Sequence, residues 1–156
     1  MTHNATVDPA ERRHAHDRRR VPRGGRRPHD LPGRFPPVVV ADSDDGARRV
    51  CARYLNRFGF QVEEATTGEA AVAIIGTCHP HVAIGELTLP RDDAFQARIR
   101  EQGIPYIVTA TSDVGIVLPD ATAVLVKPFP LAELLQEVRR ALRLADQAAR
   151  DLNDSA

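Results

Sequence analysis

Aromatic side chains are scarce in this chain: it has no tryptophan, two tyrosines and five phenylalanines, 4% of 156 residues. Its core must therefore be built mainly from Val, Ile, Leu and Ala, a composition suited to a parallel sheet covered by helices. No apolar stretch approaches the roughly 18 residues of a membrane-spanning helix, so no membrane partner is expected. The N-terminus is Arg-rich without an apolar segment behind it, which excludes the pattern of a secretory signal. Its prolines and glycines also oppose the amphipathic helix of an organellar presequence. Only two cysteines occur, Cys51 and Cys78. Both sit in apolar contexts without metal or redox spacing, and read as buried thiols of a chain in a reducing cytoplasm. Lysine is almost missing: Lys127 is the only one.

The balanced net charge conceals two different parts. Residues 1–36 hold nine arginines against four acidic residues, about +5, which leaves about −5 on the remainder. That first stretch is broken by Pro9, Pro22, Gly24, Gly25, Pro28, Pro32, Gly33 and Pro36 and has almost no apolar periodicity. It cannot bury enough surface to offset the entropy of ordering, and is expected to be a disordered basic tail. Arg18, Arg19, Arg20, Arg26 and Arg27 are its candidate binding residues. They suit an acidic partner or nucleic acid through counterion release, or a nucleotide through bidentate guanidinium contacts. The alternative is a solubilising linker. The lack of aromatics before Phe35 disfavours stacking on single-stranded bases.

From Val38 onward apolar runs alternate with helical patterns. Strands are expected at Val38–Ala41, Phe60–Glu63, Val82–Leu87, Tyr106–Ala110 and Ala123–Val126. A first helix follows an Asp44/Asp45 cap, with Val50, Tyr54, Leu55 and Phe58 on one side. A second begins near Thr67 and carries Ala71, Ile74 and Ile75. A short third follows Asp92-Asp93 with Phe95 and Ile99. The last helix opens with Pro130, a residue tolerated in a first turn. Its Leu131, Leu134, Leu135, Val138 and Leu142 recur at helical spacing. The segment 111–120, broken by Gly115 and Pro119, is too short for a normal crossover helix, so a fourth helix there is weak or missing. Alternating strands and helices imply right-handed crossovers and a doubly wound α/β parallel sheet. The domain is expected over 37–145, with 146–156 a frayed extension of the last helix.

In such sheets the polar site lies outside the carboxyl ends of the strands. Asp42, Glu86 and Lys127 each end an apolar strand and so define one charged pocket. Asp44 and Asp45 read as helix caps that complement the macrodipole, with Asp44 an alternative metal contact. His79 and His81 lack a third ligand and read as loop residues.

The segments VVVADSDDGARRVCARYLNRFGFQVEEATTGEAAV, PHVAIGELTLP, IPYIVTAT and VLVKPFPLAELLQEV together resemble the receiver domain of bacterial two-component response regulators, over about Val38 to Leu144. That resemblance implies a flavodoxin-like five-stranded sheet of order 2-1-3-4-5. It also implies a Mg²⁺-holding acidic pair at Asp42 and Ser43, a phospho-acceptor position at Glu86, and a phosphoryl-contacting lysine at Lys127, followed by Pro128 in a cis bond. The family's hydroxyl contact falls at Ala110, or at Thr109 or Thr111 if the register slips by one, and its aromatic switch falls at Val124.

Several positions depart from the family pattern. Ser43 replaces a metal-binding carboxylate, so any Mg²⁺ site, resting weakly on Asp42, is weakened and no cofactor is expected. Glu86 extends the acceptor carboxylate by one methylene, misplacing an in-line attack. Val124 cannot act as an aromatic switch. Glu86 is then either inert or an imitation of the phosphorylated state, paired directly with Lys127. The expected function is a stand-alone, degenerate receiver that catalyses nothing itself and contacts another signalling protein, a histidine kinase or a downstream target. The alternatives are a working phospho-acceptor using Glu86 or a nearby Asp, and nucleic-acid or nucleotide binding through the arginine tail.

Overall fold

A computed structural model describes residues 36–112, 118 and 120–155. Five parallel strands lie in the order β2-β1-β3-β4-β5. They are β1 Pro37–Ala41, β2 Gln61–Ala65, β3 Val82–Glu86, β4 Tyr106–Ala110 and β5 Ala123–Val126. The described helices are α1 Asp45–Arg57, α2 Gly68–Cys78, α3 Asp93–Gln102 and α4 Leu131–Asp154. This is the doubly wound sheet that the alternating pattern predicts. Among the described residues no helix is long and apolar enough to cross a membrane.

Side chains alternate across each strand, so β1 feeds two cores. Val38 and Val40 pack with Leu55 of α1 and Leu134 and Val138 of α4. Val39 and Ala41 pack on the opposite face with Ala71 and Ile75 of α2 and Phe95 and Ile99 of α3. Burial on both faces explains why the central strands read as continuous apolar runs.

Two expectations are corrected. The second strand runs to Ala65 rather than ending at Glu63, because its register follows β1 to the Ala41–Ala65 pair. The inward stripe of α1 is Arg48, Cys51, Ala52 and Leu55. Val50 and Phe58, expected inside, are 51% and 46% exposed. The helix is docked by Leu55, and its rotation leaves those two residues on the outer flank. The extension expected over 146–156 continues α4 to Asp154. Its Ala, Arg, Gln and Leu are good helix formers, and propagation from a packed helix needs no new nucleus. The weak or missing helix expected in 111–120 falls largely on residues 113–117 and 119, outside the described residues.

Gly68 opens α2 where the β3–α3 loop crosses it, and its N–H donates to the Pro90 carbonyl at 2.9 Å. A Cβ at this position would lie 2.0 Å from the Arg91 carbonyl oxygen and 2.6 Å from the Asp92 Cα. Both are backbone atoms and cannot swing aside. Gly68→Ala should therefore destabilise the fold by about 3 kcal/mol, read as a lower urea midpoint at unchanged slope.

Candidate functional site

The site forms where the chain leaves β1 and β3, the neighbouring strands at which the sheet order reverses. Asp42 directly follows β1, and its N–H donates to the Ala65 carbonyl of β2 at 3.0 Å. The next turn is held by local hydrogen bonds. Asp44 N–H donates to Asp42 Oδ1 at 2.8 Å. Asp44 caps α1 by accepting from the Ala47 N–H at 2.7 Å, as the cap reading predicts.

Lys127 follows β5, and its backbone N–H donates to the Ala110 carbonyl at 2.7 Å. The following Lys127–Pro128 bond is cis, as the resemblance implies. Lys127 Nζ lies 2.7 Å from Asp42 Oδ2 and 4.0 Å from Glu86 Oε1. The structure thus brings the three expected charges together but changes their pairing. The direct Glu86–Lys127 pair expected from sequence stands at the outer limit of an ion pair, and Asp42 is the close partner.

Glu86 turns instead to Ser43. Its Oε2 accepts from the Ser43 N–H at 3.1 Å and from the Ser43 hydroxyl at 2.7 Å. Oε1 takes a longer contact, 3.4 Å, from the Thr88 hydroxyl. The extra methylene lets the carboxylate reach across to the β1–α1 turn, and serine there offers two donors where a carboxylate would repel. Burial pushes the Glu86 pKa up. The Ser43 hydroxyl and N–H, Lys127 and Thr88 together outweigh it and hold the group below its usual value.

A depressed folded-state pKa contributes stability that is present above the unfolded glutamate value and lost as pH falls through the folded one. Wild-type stability should therefore fall more steeply than that of Glu86→Gln as pH drops from about 5 into the acid range. Urea midpoints across that range check the difference in slope.

Of the hydroxyl candidates, Thr109 is the one placed at the pocket. It pairs in register with Glu86 across the β3–β4 ladder, is 3% exposed, and shares a cleft with Asp42 and Lys127. Thr111 lies beyond the strand and is exposed. Strand alternation turns Thr109 to the α1 and α4 side and Ala110 to the other. Val124 sits on β5 and is 38% exposed. Arg18, Arg19, Arg20, Arg26 and Arg27 lie outside the described residues, as does the rest of the expected tail up to residue 35.

Arg48 escaped the sequence reading. It is buried on α1, yet its guanidinium donates to the Asp42 carbonyl at 3.0 Å, to Asp45 at 2.6 Å and to Glu64 at 3.2 Å. Those bonds pin the turn carrying Asp42 and Ser43 to β2. Its place three residues before Cys51 and seven before Leu55 was the available signal: an arginine on the buried stripe needs partners. Asp45, also expected as a cap, serves mainly as one of them, and Arg48 lowers its pKa by hydrogen bond and charge.

A charged site at the reversal point of a five-stranded doubly wound sheet is shared by domains of many functions, and comparison identifies which kind this is. The response regulator receiver domain family model matches residues 38–139, and the chain belongs to that family, the receivers of two-component signalling. It is 33% identical over 125 residues to a probable transcriptional regulator, ycf27, of Porphyridium aerugineum, covering 74% of this chain and 52% of the relative. It is 29% identical over 116 residues to the regulatory protein AtoC of Escherichia coli, covering 69% of this chain and 25% of that protein. The chain spans about half the length of the ycf27 relatives it matches. Among solved structures, chemotaxis response regulator CheY4 of Vibrio cholerae superposes with TM-score 0.61 at 25% identity, covering 70% of this chain and 100% of that one. The receiver domain of an HD domain-containing protein from Pseudomonas fluorescens Pf-5 shares the fold with TM-score 0.66 at 21% identity, covering 73% and 99%. Receiver domains of this family typically interact with histidine kinases or with output domains.

Proposed function

We propose that this receiver works without phosphorylation, as a protein-contact module whose pocket is held closed by its own side chains. The observation that carries the reading is the pair of hydrogen bonds from Ser43 to Glu86 Oε2, at 3.1 and 2.7 Å. A receiver that takes up phosphate needs a free acceptor carboxylate and a metal beside it. Here the acceptor position is engaged by the residue that replaces a metal ligand, and Asp42 is engaged by Lys127. Mg²⁺ asks for near-octahedral oxygen ligands with carboxylate help. Two occupied carboxylates and a serine do not fit that shell.

In this reading the negative charge of Glu86 stands near Lys127 permanently. One carboxylate supplies less charge and fewer acceptor oxygens than a phosphoryl group, so the pocket rests in one arrangement instead of switching between two. The domain then presents a fixed surface to another signalling protein, a histidine kinase or a downstream target, and catalyses nothing of its own.

The test is incubation of the full chain with a small acyl phosphate and Mg²⁺ near neutral pH, followed by intact-mass measurement. No phosphate incorporation is expected. Stoichiometric phosphate on Glu86, Asp44 or Asp45 would replace this reading with that of a working acceptor.

A further inference from the structure

A cleft of about 280 Å³ opens between α1 and the start of α4, beside the charged pocket. It exists because α1 turns small residues toward it: Ala47, Val50 and Cys51 face Leu131 across the gap. Larger side chains at the first two positions would fill the space. The lining is mainly apolar, and its polar end holds Asp42, Thr109 and Lys127.

Thr109 supplies a second, independent observation. The residue is 3% exposed, and its hydroxyl has no hydrogen-bond partner among the described residues. No fully enclosed side-chain polar atom of the described residues lacks a partner, so this hydroxyl is an accessible part of Thr109, a residue that lines the cleft. A polar group this deeply placed gains by donating to something. Lys127 Nζ has one short partner, Asp42 at 2.7 Å, and Glu86 only at 4.0 Å, leaving donor capacity at the same end.

We propose that the cleft binds a small, neutral, largely apolar molecule with one acceptor oxygen. The oxygen is held by Thr109 and Lys127, and the apolar body lies against Val50, Cys51 and Leu131. The volume sits at the small end of ligand sites and suits about ten non-hydrogen atoms. Charge selects against an acid: Asp42 and Glu86 face a single lysine, so a further carboxylate meets a net negative end. Because the ligand shares Lys127 with the charged pocket, its binding reports on that pocket whether or not Glu86 ever accepts phosphate.

The test uses backbone amide NMR of the full chain without any phosphodonor, with acetophenone, benzoate and ethylbenzene as probes of similar size. Acetophenone should give saturable shifts at residues 47–51, 109 and 127–131, with half-saturation at roughly millimolar concentration. Benzoate and ethylbenzene should bind roughly tenfold more weakly. Thr109→Val, which preserves volume, should weaken acetophenone about tenfold and leave ethylbenzene unchanged. Ala47→Leu and, independently, Val50→Phe should abolish the saturable shifts while the remaining spectrum stays folded. Equal binding of all three probes, shifts elsewhere on the domain, survival of binding in both filled variants, or no saturable shift would each overturn the proposal.

Discussion

A chain carrying Ser43→Asp and Glu86→Asp together should take up phosphate from a small acyl phosphate in Mg²⁺ at least about a hundredfold faster than the wild type, since misplacing reacting groups by about 1 Å costs that much. The shorter aspartate cannot reach the Ser43 position as Glu86 does now, with its Oε2 2.7 Å from the Ser43 hydroxyl. It would withdraw toward the end of β3, and the second change would add the carboxylate a metal needs beside Asp42. Neither change should suffice alone. Ser43→Asp by itself sets a carboxylate against Glu86, raising a pKa by like-charge repulsion and lowering stability. Glu86→Asp by itself corrects the reach but leaves the metal short of ligands. Intact-mass time courses of the four chains separate these outcomes. A folded double variant that takes up no phosphate would show that the loss extends beyond these two positions.

Lys127→Met should lower stability by about 3 kcal/mol, because it strands a buried carboxylate. Asp42 is 5% exposed, and its Oδ2 has the ammonium as its close partner at 2.7 Å. The Asp44 N–H on the other oxygen cannot neutralise the charge. Asp42→Asn in the same chain should recover much of the loss, since the amide carries no charge to leave unpaired. The double-mutant cycle should show coupling above about 1 kcal/mol. A corresponding cycle between Lys127 and Glu86, 4.0 Å apart, should couple more weakly. If the Glu86 cycle proves the stronger, the pairing described for this pocket is wrong. Lys127→Arg is not a neutral control, because a planar guanidinium cannot serve as the compact point charge that fits between two carboxylates.

Much of the fold was legible because short-range rules govern it. Apolar runs marked β1, β3, β4 and β5, the first three buried on both faces, and the 3.6-residue recurrence of Leu134, Leu135, Val138 and Leu142 marked α4. The rotation of α1 was not legible. Val50, Tyr54 and Phe58 recur at four-residue spacing, Cys51 and Ala52 lie four and three residues before Leu55, and only packing against β1 and α4 selects between the stripes. The end of β2 was likewise set by its partner, through the Ala41–Ala65 pairing.

In the site, the charges that meet could be read from the chain: Asp42, Glu86 and Lys127 end strands whose carboxyl ends a parallel sheet places along one edge. Ser43, Glu86 and Val124 were also visible there as departures from the receiver pattern. Only the tertiary structure decided who pairs with whom. Lys127 takes Asp42, Glu86 takes Ser43, Arg48 ties down the turn, and Thr109 rather than Ala110 turns its side chain to the pocket. Strand ends are assigned by patterns that repeat over several residues, whereas a hydrogen bond is decided by distances of an ångström or less. One added methylene and one register step are enough to change the partner, and neither leaves a periodic trace in the chain.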